Sequence, residues 1–293
     1  MKKRANYQRN LVTICEAEMN SEYVKVILDS ISPVGRRITT LEVRYWRMIH
    51  SELMTHCSFA RNAASSRAIP VTKTFEMIEN DPFIPEFIGC EKKGMQSGEQ
   101  LCDGDLAYAR GLILDMRNYC LDHCKQLAEI GVHKSIINRY LEPWSYITVL
   151  ITATNWRNFF ALRVHEAAEK HFNKVAIMMQ DAMIDSKPVC RVYHMPYVVD
   201  GCSDNDEYDA QTGMKVSTGR CARLSYLTHD GKRDWKKDVE LYDKLMLNDP
   251  KHASPASHPA TALADPNQRC AQYLGWQPYR MTIKGESVQE PIL

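Results

Sequence analysis

The segment from Glu52 to Pro70 is the stretch that most restricts how this chain folds. One histidine, two arginines, one asparagine and two adjacent serines stand there among small alanines. A helix buried in a core would place apolar side chains along its inner face, and this segment does not follow that pattern. We therefore expect this polar run, residues 52–70, to form a binding site.

The side chains of the polar run suit a phosphorylated ligand that carries a ring. Arg61 and Arg67 can attract an anion, and His56 can donate to or accept from a ring. Ser65 and Ser66 add small polar groups. A plain helix-to-loop junction, in which the serines cap helix ends, is the structural alternative.

The charge balance argues against a protein that coats nucleic acid. The chain has 293 residues, of which 44% are hydrophobic and 25% charged, as is usual for a globular protein with a buried core. Its 37 lysines and arginines balance 36 acidic residues, so the formal net charge is +1. Because broad nucleic-acid binding needs a basic face, we expect no such partner. One small anionic ligand needs only a local group of arginines.

Cysteine use and hydropathy predict a cytoplasmic protein. Ten cysteines are scattered along the chain without a Cys-x-x-Cys pair, which fits a reducing compartment. The basic start of the chain is followed by polar residues, so we expect no signal peptide. No apolar run approaches the ~20 residues of a membrane helix. Without repeats or low-complexity linkers, residues 1–293 are expected to form a single domain.

Apolar spacing and helix-end signals predict a mixed α/β chain. Thr39 and Glu42 are spaced as a capping box, which predicts a helix that continues to Leu53. Helical spacing predicts four further helices: 105–130 with Gly131 as its C-cap, 134–141, 166–183 and 234–248. A β-branched run predicts a strand over 146–152. Turn-forming and acidic residues predict irregular structure in three segments: 75–104, 200–213 and the last forty residues.

Two further groups of polar side chains are candidates for ligand contacts. Arg139 can bind an anion, or it can pair with Glu142 on an exposed face. Asn155, Asn158 and Arg163 follow the predicted strand, where ligands of α/β sheets tend to bind. Asparagine amides suit the edge of a heterocycle, and a partly desolvated guanidinium can hold a carbonyl or imide edge.

No metal centre is expected. Cys120, His123 and Cys124 share one helix face at positions i, i+3 and i+4, as zinc ligands can, but a fourth ligand is not evident. The acidic segment from Asp200 to Asp209 lacks the central glycine and the final glutamate of a calcium loop.

The polar run resembles the signature of the flavin-dependent thymidylate synthases. That signature is Arg-His-Arg, then seven residues, a serine and, two residues further on, an arginine. Here Thr55, His56 and Cys57 are followed at the same spacing by Ser65 and Arg67. The histidine, the serine and the last arginine are therefore kept.

Other segments extend this resemblance. Arg139 is similar to the family's arginine before Val-Leu-Pro, and the stretch from Asn158 to Arg163 is similar to the family's stretch that ends in Leu-Arg. Asn155 stands as far beyond Pro143 as the family's flavin-contacting asparagine stands beyond its proline. Asn155 and Asn158 are therefore rival candidates for one role.

Two segments that usually come first in the family come last here. Residues 222–226 resemble its Ala-Arg-Val-Ser-Tyr segment, and residues 254–258 resemble its Ser-Pro-Phe-Glu-His segment. The order is similar to that of a phage and bacterial subgroup and implies a circular permutation. The five segments span residues 40–280, and the fold that they imply is an α/β (α+β) mixed sheet flanked by helices.

The chain departs from the family's pattern at several places, of which Thr55 in place of the first arginine is usual in the subgroup. Cys57 stands where the signature has its second arginine, and Glu169 stands where the family has glutamine. Ala256 and Ser257 replace Phe-Glu before His258. The missing cation at position 57 removes a charge-assisted hydrogen bond, which is worth roughly 1.5–3 kcal/mol when desolvated. These changes affect the choice of substrate more than the fold.

The resemblance implies an enzyme that methylates C5 of deoxyuridine monophosphate (dUMP) to give dTMP. Methylenetetrahydrofolate would supply the carbon, reduced FAD the hydride, and NADPH would reduce the flavin. The resemblance also implies a homotetramer whose sites are shared between subunits, in the host cytoplasm if a phage encodes the chain.

The resemblance also implies roles for single residues. Arg67, Arg139, Ser65 and Ser66 would hold the nucleotide and its phosphate. Arg163 would face the uracil imide and stabilise negative charge there, while Ser65 would orient the nucleotide without attacking it. The residues implied to line the flavin are His56, Arg61, Asn155 or Asn158, Ser225 and His258.

The sequence leaves two other functions open. The same flavin and folate chemistry could act on another pyrimidine nucleotide, by methylation of UMP or dCMP or by hydroxymethylation. The altered residues at 57, 169 and 256–257 are the reason to keep that alternative. A non-catalytic relative that binds nucleotides or RNA is the second alternative, and the near-zero net charge argues against it.

Overall fold

The computed structural model describes residues 22–198, 208–226 and 234–286, apart from the side chains of residues 225 and 226. This part of the chain contains the following strands: β1 (Tyr23–Ile31), β2 (Arg37–Trp46), β3 (Ala60–Ala63), β4 (Tyr146–Ala153), β5 (Val189–Cys190), β6 (Tyr193–His194), β7 (Ala260–Ala262), β8 (Arg269–Cys270), β9 (Tyr273–Leu274) and β10 (Trp276–Pro278). The α-helices in it are α1 (His50–Met54), α2 (Val71–Asn80), α3 (Asp103–Glu129), α4 (Lys134–Tyr140), α5 (Arg157–Arg163), α6 (Lys170–Asp185), α7 (Ala210–Tyr226) and α8 (Trp235–Leu247). Short 3-10 segments cover Arg47–Ile49, Glu142–Trp144, Ser254–Ser257 and Tyr279–Thr282.

A five-stranded sheet in the order β3-β4-β2-β1-β5 forms the centre of the fold. Its neighbouring strands are antiparallel except for β1 and β5, which run parallel, so the sheet is mixed. Strands β10, β7 and β6 form a second sheet, and β8 pairs with β9. The predicted mixed sheet flanked by helices is confirmed, while the single domain and the circular permutation stay predictions.

Helices cover both faces of the central sheet. On one face, alternate residues of β2 and β4 pack against α6, in a core that includes Leu41, Val43, Val149, Phe172 and Val175. On the other face, side chains of β4 pack against α7: Leu150, Cys221 and Leu224. A further core joins α2, α3 and α4, the helices that follow the polar run and precede β4.

The helix predicted to start at Thr39 is wrong. Residues 37–46 form β2, and the short helix α1 begins at His50. Leu41 and Val43 face the α6 core at strand spacing. The polar side chains between them are buried on the opposite face. The alternation of Leu41, Val43 and Tyr45 with polar residues is a strand pattern, whereas the predicted helix rests on the capping-box spacing of Thr39 and Glu42.

Most other predicted elements are confirmed: 105–130 as α3, 134–141 as α4, 146–152 as β4, 166–183 as α6 and 234–248 as α8. Gly131 has a φ of 85°, as a C-cap glycine requires. Helix α6 begins at Lys170 and not at 166, because the side chain of Glu169 caps it.

The predicted irregular segments are partly wrong. The first of them, 75–104, begins inside α2. The acidic segment 200–213 reaches into α7, which starts at Ala210, and its residues 200–207 lie outside the described part of the chain. The last forty residues contain short strands and 3-10 segments in the part that the structure describes. No helix in the described residues is both long enough and apolar enough to cross a membrane.

Candidate functional site

The polar run passes from α1 through β3 to a tight turn before α2. Strand β3 lies at the edge of the central sheet and pairs with β4. Beyond β3, the carbonyl oxygen of Ser65 accepts hydrogen bonds from the backbone N–H groups of Ala68 (3.0 Å) and Ile69 (3.3 Å). The predicted histidine and the predicted serines of the run therefore lie before and after β3.

Arg163, at the end of α5, is bound to the first part of the polar run. Its Nε donates to Nε2 of His56 (3.0 Å), and its Nη1 forms an ion pair with the carboxylate of Glu52. Its Nη2 donates to the carbonyl oxygen of Glu52 (3.0 Å) and to Oγ1 of Thr55 (3.1 Å). Four of the five N–H groups of this guanidinium therefore point at acceptors in the described residues, which leaves one Nη1–H for a ligand.

His56 is buried between aromatic rings and accepts the hydrogen bond from Arg163 in its neutral form. Phe59 stacks on its ring at a centroid distance of 5.7 Å, and Phe159 meets it edge-on at 4.9 Å. Burial, followed by the positive charges of Arg163 and Arg61, lowers the pKa of His56. A neutral imidazole that accepts at Nε2 carries its proton on Nδ1, so Nδ1–H is the remaining donor.

Arg61, on β3, supports the end of α1. Its Nη1 donates to the carbonyl oxygens of Leu53 (3.2 Å), Met54 (3.0 Å) and His56 (3.2 Å). The last carbonyl groups of a helix lack partners within it, and a cation is favourable there. Arg61 therefore holds the backbone of His56 in place.

A second group of polar residues meets at the turn that ends the polar run. Nδ2 of the buried Asn138, on α4, donates to the carbonyl oxygens of Ser66 (2.7 Å) and Ile69 (3.0 Å). Nζ of Lys134, one turn earlier on α4, donates to the carbonyl oxygen of Ala68 (3.0 Å). These three hydrogen bonds fix α4 against the turn.

Arg67 and Arg139 each stand one residue away from the hydrogen bond between Asn138 and Ser66. Because consecutive Cα atoms are ~3.8 Å apart, the two arginine side chains start from neighbouring points. Both are exposed, and neither guanidinium has a hydrogen-bond or ion-pair partner in the described residues. The hydroxyl groups of Ser65 and Ser66 likewise have no partner there. The structure therefore places Ser65, Ser66 and Arg67 at the turn and starts the side chain of Arg139 one residue from the hydrogen bond that holds α4 against it.

The alternative pairing of Arg139 with Glu142 does not occur. The carboxylate of Glu142 pairs with Nε of Arg47 at 2.9 Å. Arg139 is left without a countercharge in the described residues, so its charge is available to an anion.

Asn155 and Asn158 are both exposed at the start of α5, the helix that ends at Arg163. Oδ1 of Asn155 accepts from the backbone N–H of Arg157 (3.1 Å), the first residue of that helix. The side chain of Asn158 has no hydrogen bond within the described residues. Free amide groups therefore lie one to two turns from Arg163, and the two asparagines remain rival candidates.

His258 is bonded to the sheet and to no residue of the polar run. It is fully buried, and its Nδ1 shares a hydrogen bond of 2.8 Å with Oγ1 of Thr152 on β4. Its Nε2 has no partner in the described residues. Ser225 lies in α7, and its side chain is outside the described part of the chain.

Glu169, one of the departures from the family's pattern, has a structural role. Its Oε2 accepts from the backbone N–H of Phe172 (2.7 Å), and its Oε1 meets Nδ1 of His171 (2.8 Å). Burial would raise the pKa of Glu169, but these hydrogen bonds outweigh it and lower the pKa. The carboxylate therefore caps α6.

The other departures lie at opposite extremes of exposure. Cys57 is exposed, and its thiol lies 3.8 Å from the carbonyl oxygen of Thr55. Ala256 and Ser257 are buried in a 3-10 segment directly before His258. Their small side chains therefore suit close packing around that histidine.

The thiols of Cys120 and Cys124 contact backbone carbonyl groups of α4. They donate to the carbonyl oxygens of Tyr140 (3.4 Å) and Ile137 (3.9 Å). In the described residues, no group of three or more side chains is placed to hold a metal ion.

Glu52 and Lys134 belong to these groups, although no sequence motif singles them out. Glu52 lies four positions before His56. In a helix this spacing places two residues on the same face, so the sequence contains a signal that links them. Lys134 bonds to the turn across a long stretch of chain, and no local pattern announces such a bond.

No protein-family model matches this chain, and no curated protein matches it. Among solved structures, the chain is similar to PolB, a UMP/dUMP methylase from Streptomyces cacaoi. Against PolB bound with 5-Br UMP, the TM-score is 0.48 at 14% identity, over 56% of this chain and 89% of that chain. Against PolB bound with 5-Br dUMP, the TM-score is 0.41 at 17% identity, over 50% of this chain and 65% of that chain. At these TM-scores the similarity supports no conclusion about the function of this chain.

Proposed function

We propose that this protein binds a pyrimidine nucleoside monophosphate along the polar run, with the phosphate at Arg67 and Arg139 and the base near Arg163. One observation carries the proposal. The hydrogen bond between Asn138 and Ser66 joins the sequence neighbours of two exposed arginines, and neither arginine has a hydrogen-bond or ion-pair partner in the described residues.

Two neighbouring like charges repel each other, so an anion that neutralises both is favourable at this turn. A phosphate monoester offers three oxygen acceptors, and planar guanidinium groups match it with bidentate hydrogen bonds. The free hydroxyl groups of Ser65 and Ser66 add donors beside the two arginines. Four donors of this kind suit a phosphate better than they suit a carboxylate, which has only two oxygens.

The residues around Arg163 suit the edge of a pyrimidine ring. The remaining Nη1–H of Arg163 can donate to a ring carbonyl, and the free oxygen of the Glu52 carboxylate can accept from a ring N–H. A cation beside the ring stabilises the negative charge that forms when C5 acts as a nucleophile. The buried, neutral His56 holds that guanidinium in place through its Nε2.

The reaction that we propose is methylation of dUMP at C5 to give dTMP, with methylenetetrahydrofolate as the carbon donor and NADPH as the reductant. The five segments similar to flavin-dependent thymidylate synthases support it. Arg163 and Ser65 are the proposed catalytic residues, Arg163 through charge stabilisation and Ser65 through orientation of the nucleotide. A cytoplasmic location is part of the same proposal.

The residues present fit an FAD cofactor in part. The exposed amides of Asn155 and Asn158 can bond the polar edge of a flavin ring, and the one Nδ1–H of His56 is a further donor. Arg61 has its Nη1 occupied at the end of α1, and His258 is fully buried. A bound flavin supplies hydride chemistry. The asparagines and His56 would orient it.

A second candidate is the same chemistry on another pyrimidine nucleotide, UMP or dCMP, by methylation or hydroxymethylation. The Glu52 carboxylate is compatible with this candidate, because a charged acceptor beside Arg163 suits the 4-amino group of cytosine as well as the N3–H of uracil. The exposed Cys57 in place of a cation also separates this chain from the family's signature.

The homotetramer is proposed on the apolar side chains that α3 exposes. Tyr108, Leu112, Met116 and Tyr119 recur at helical spacing along that helix and are all exposed. Such a stripe is typical of a helix that packs against a partner. Light scattering of the purified protein gives the subunit number directly.

The test of the proposed function is tritium release from nucleotides labelled at C5, with methylenetetrahydrofolate, FAD and NADPH present. We expect release from dUMP together with dTMP formation. Release from UMP or dCMP in its place would establish the second candidate. Protein that takes up no FAD and binds RNA in a salt-sensitive manner would contradict both, and it would indicate a non-catalytic nucleic-acid-binding relative.

A further inference from the structure

Five buried polar side chains form one continuous hydrogen-bond chain across the central sheet. Oγ of Ser30 meets Nδ1 of His194 (2.8 Å), and Nε2 of His194 meets Oγ1 of Thr40 (2.8 Å). Thr40 shares a hydrogen bond of 2.6 Å with Thr152, and Thr152 shares one of 2.8 Å with Nδ1 of His258. None of the five residues has any exposed surface. We call this set the buried chain.

The buried chain joins parts of the molecule that are distant in sequence. Ser30, Thr40 and Thr152 lie on β1, β2 and β4 of the central sheet, and His194 lies on β6 of the second sheet. His258 follows the 3-10 segment that precedes β7. Such a chain is set by tertiary packing, and none of the motifs found in the sequence includes Ser30, Thr40 or His194.

Both histidines of the buried chain are neutral at ordinary pH. Burial lowers the pKa of His194 and the pKa of His258 to about 3. A neutral imidazole has one N–H donor and one nitrogen acceptor, and a hydroxyl group has one proton. Each of the four hydrogen bonds therefore uses one N–H or O–H proton, while the five side chains carry five such protons. One proton therefore takes part in none of the four bonds and lies at one end of the buried chain.

These counts allow two arrangements. If the Ser30 hydroxyl donates to His194, every later group donates onward, and His258 carries its proton on Nε2. If the order is reversed, both histidines carry their protons on Nδ1, and the Ser30 hydroxyl keeps the proton that is left over. In either arrangement the two histidines have the same tautomer.

The two ends differ in how well they accommodate the extra proton. Nε2 of His258 has no hydrogen-bond partner in the described residues, and an imidazole N–H cannot turn to find one. The Ser30 hydroxyl rotates freely about its C–O bond and can turn toward a carbonyl group. Because an unpaired buried N–H is costly, the second arrangement is favoured.

We propose that Ser30, His194, Thr40 and Thr152 are positioning residues that keep the proton of His258 on Nδ1 and a lone pair on its Nε2. The inference goes beyond the proposed function, because it concerns the protein without any ligand. If His258 meets a cofactor, the buried chain decides whether it offers a donor or an acceptor. A group that accepts a hydrogen bond from Nε2 would reverse all four hydrogen bonds at once.

Tyr273 offers the one competing route that the described residues contain. Its hydroxyl donates to the carbonyl oxygen of Ser257 (2.7 Å). It also lies close enough to Thr152 for that hydroxyl to counter part of the effect of burial, which raises the pKa of Tyr273. If the Thr152 hydroxyl donated its hydrogen bond to Tyr273 and not along the buried chain, the tautomers of His194 and His258 would no longer be coupled.

The test is a long-range 1H–15N spectrum of the full-length protein labelled with 15N in histidine. The two nitrogens of a neutral imidazole differ widely in 15N shift, so the spectrum reports the tautomer of each ring. His258 and His194 are assigned from the His258→Gln and His194→Gln variants, or from the asparagine variants if those do not fold. We expect both rings to carry their proton on Nδ1.

The decisive change is Ser30→Ala, four hydrogen bonds away from His258. It removes the rotatable end, so the extra proton must then sit on a fixed N–H at one histidine or the other. We expect His258 to move from the Nδ1–H form to a roughly even mixture of both tautomers. Ser32→Ala is the matched control. Ser32 is buried two residues after Ser30, and its Oγ accepts from the backbone N–H of Arg36 (3.0 Å), so it takes no part in the buried chain.

Thr40→Val then tests the route. Thr40→Val breaks the buried chain in the middle, so Ser30→Ala added to it should no longer change the tautomer of His258. Ser30→Ala added to Thr40→Ser should change that tautomer again, because serine keeps the hydroxyl group. An unchanged His258 tautomer in Ser30→Ala would overturn the proposal and would indicate that the Thr152 hydroxyl donates to Tyr273. Equal shifts with Ser32→Ala, or a Ser30→Ala effect that persists beside Thr40→Val, would overturn it as well.

Discussion

The guanidinium of Arg163 donates to Nε2 of His56 across 3.0 Å and pairs with the carboxylate of Glu52 on its other side. The arginine that the proposed function needs at the base is therefore already bonded within the protein. A nucleotide gains Arg163 either through the one remaining N–H or by competing with Glu52. The identity of residue 52 thus bears on affinity.

Glu52→Gln is expected to tighten the binding of dUMP by up to about tenfold. Gln keeps an oxygen that can accept from Arg163 but loses the charge, so a ring carbonyl competes for the guanidinium more easily; a tenfold change is about 1.4 kcal/mol. Titration calorimetry measures the dissociation constant. Asp81→Asn is the matched control, because the Arg44–Asp81 pair is similarly exposed, at 16% and 36% against 15% and 35%. Weaker binding in Glu52→Gln would mean that the contact of the carboxylate with the ring N–H contributes more to affinity than its competition for Arg163 takes away.

Arg67→Ala and Arg139→Ala are each expected to weaken the binding of dUMP by about 10–100-fold. Each removes one charge-assisted hydrogen bond to phosphate, worth roughly 1.5–3 kcal/mol. Binding of the nucleoside deoxyuridine should stay unchanged, because it carries no phosphate. Arg269→Ala, at another exposed arginine without a partner in the described residues, should change neither. Equal losses for nucleotide and nucleoside would place the phosphate elsewhere.

The sequence predicts the helices that have strong end signals, and it fails where an end signal occurs by chance. Gly131 marks the end of α3 correctly, whereas the capping-box spacing of Thr39 and Glu42 lies inside β2, where Leu41, Val43 and Tyr45 alternate as in a strand. At the candidate site, motif spacing selects Arg67 and Arg139, and in the structure each lies next to a residue of the Asn138–Ser66 hydrogen bond. Spacing cannot reveal Lys134 or the bond of Asn138 to Ser66, because those hydrogen bonds depend on how α4 docks against a distant turn.

Asn138→Ala is expected to lower the free energy of unfolding by about 2–4 kcal/mol. It leaves the carbonyl groups of Ser66 and Ile69 without their donor in a buried place, and each missing hydrogen bond of this kind costs about 1–2 kcal/mol. Urea denaturation measures the loss. The same variant should also bind dUMP more weakly, because Arg67 and Arg139 are no longer held together.

Ser217→Ala separates the two effects of the Asn138 change. Ser217, on α7, is also buried, and its hydroxyl donates to a backbone carbonyl, that of Pro196 (2.7 Å). It should lose stability as Asn138→Ala does, without a loss of dUMP affinity at the temperature where both variants are folded. A similar loss of affinity in both variants would show that instability, and not the turn, explains it.

Stability is expected to fall as the pH is lowered from 7 to 5.5. Burial lowers the pKa of both His194 and His258 to about 3, against 6.5 in the unfolded chain. Well above pH 6.5 both rings are neutral in either state, so the full stability is present. Below pH 6.5 the unfolded chain takes up protons that the folded protein does not bind, and stability is lost down to about pH 3. At pH 5.5 the two rings together account for about 3 kcal/mol, and the pKa values of His50 and His56, which burial also lowers, add to the loss.

The pH effect of these two rings depends on their burial, which keeps them neutral in the folded protein. Glu22, whose pKa is raised by burial, works in the opposite direction and reduces the net loss somewhat. Urea denaturation at pH 7.0 and 5.5 gives the difference in unfolding free energy. His258→Gln, in the folded variant, should remove about 1.5 kcal/mol of that difference, whereas His123→Gln at an exposed ring should leave it unchanged. Equal stability at both pH values would mean that the folded protein can protonate His194 and His258, which would require water or a carboxylate to reach the buried chain.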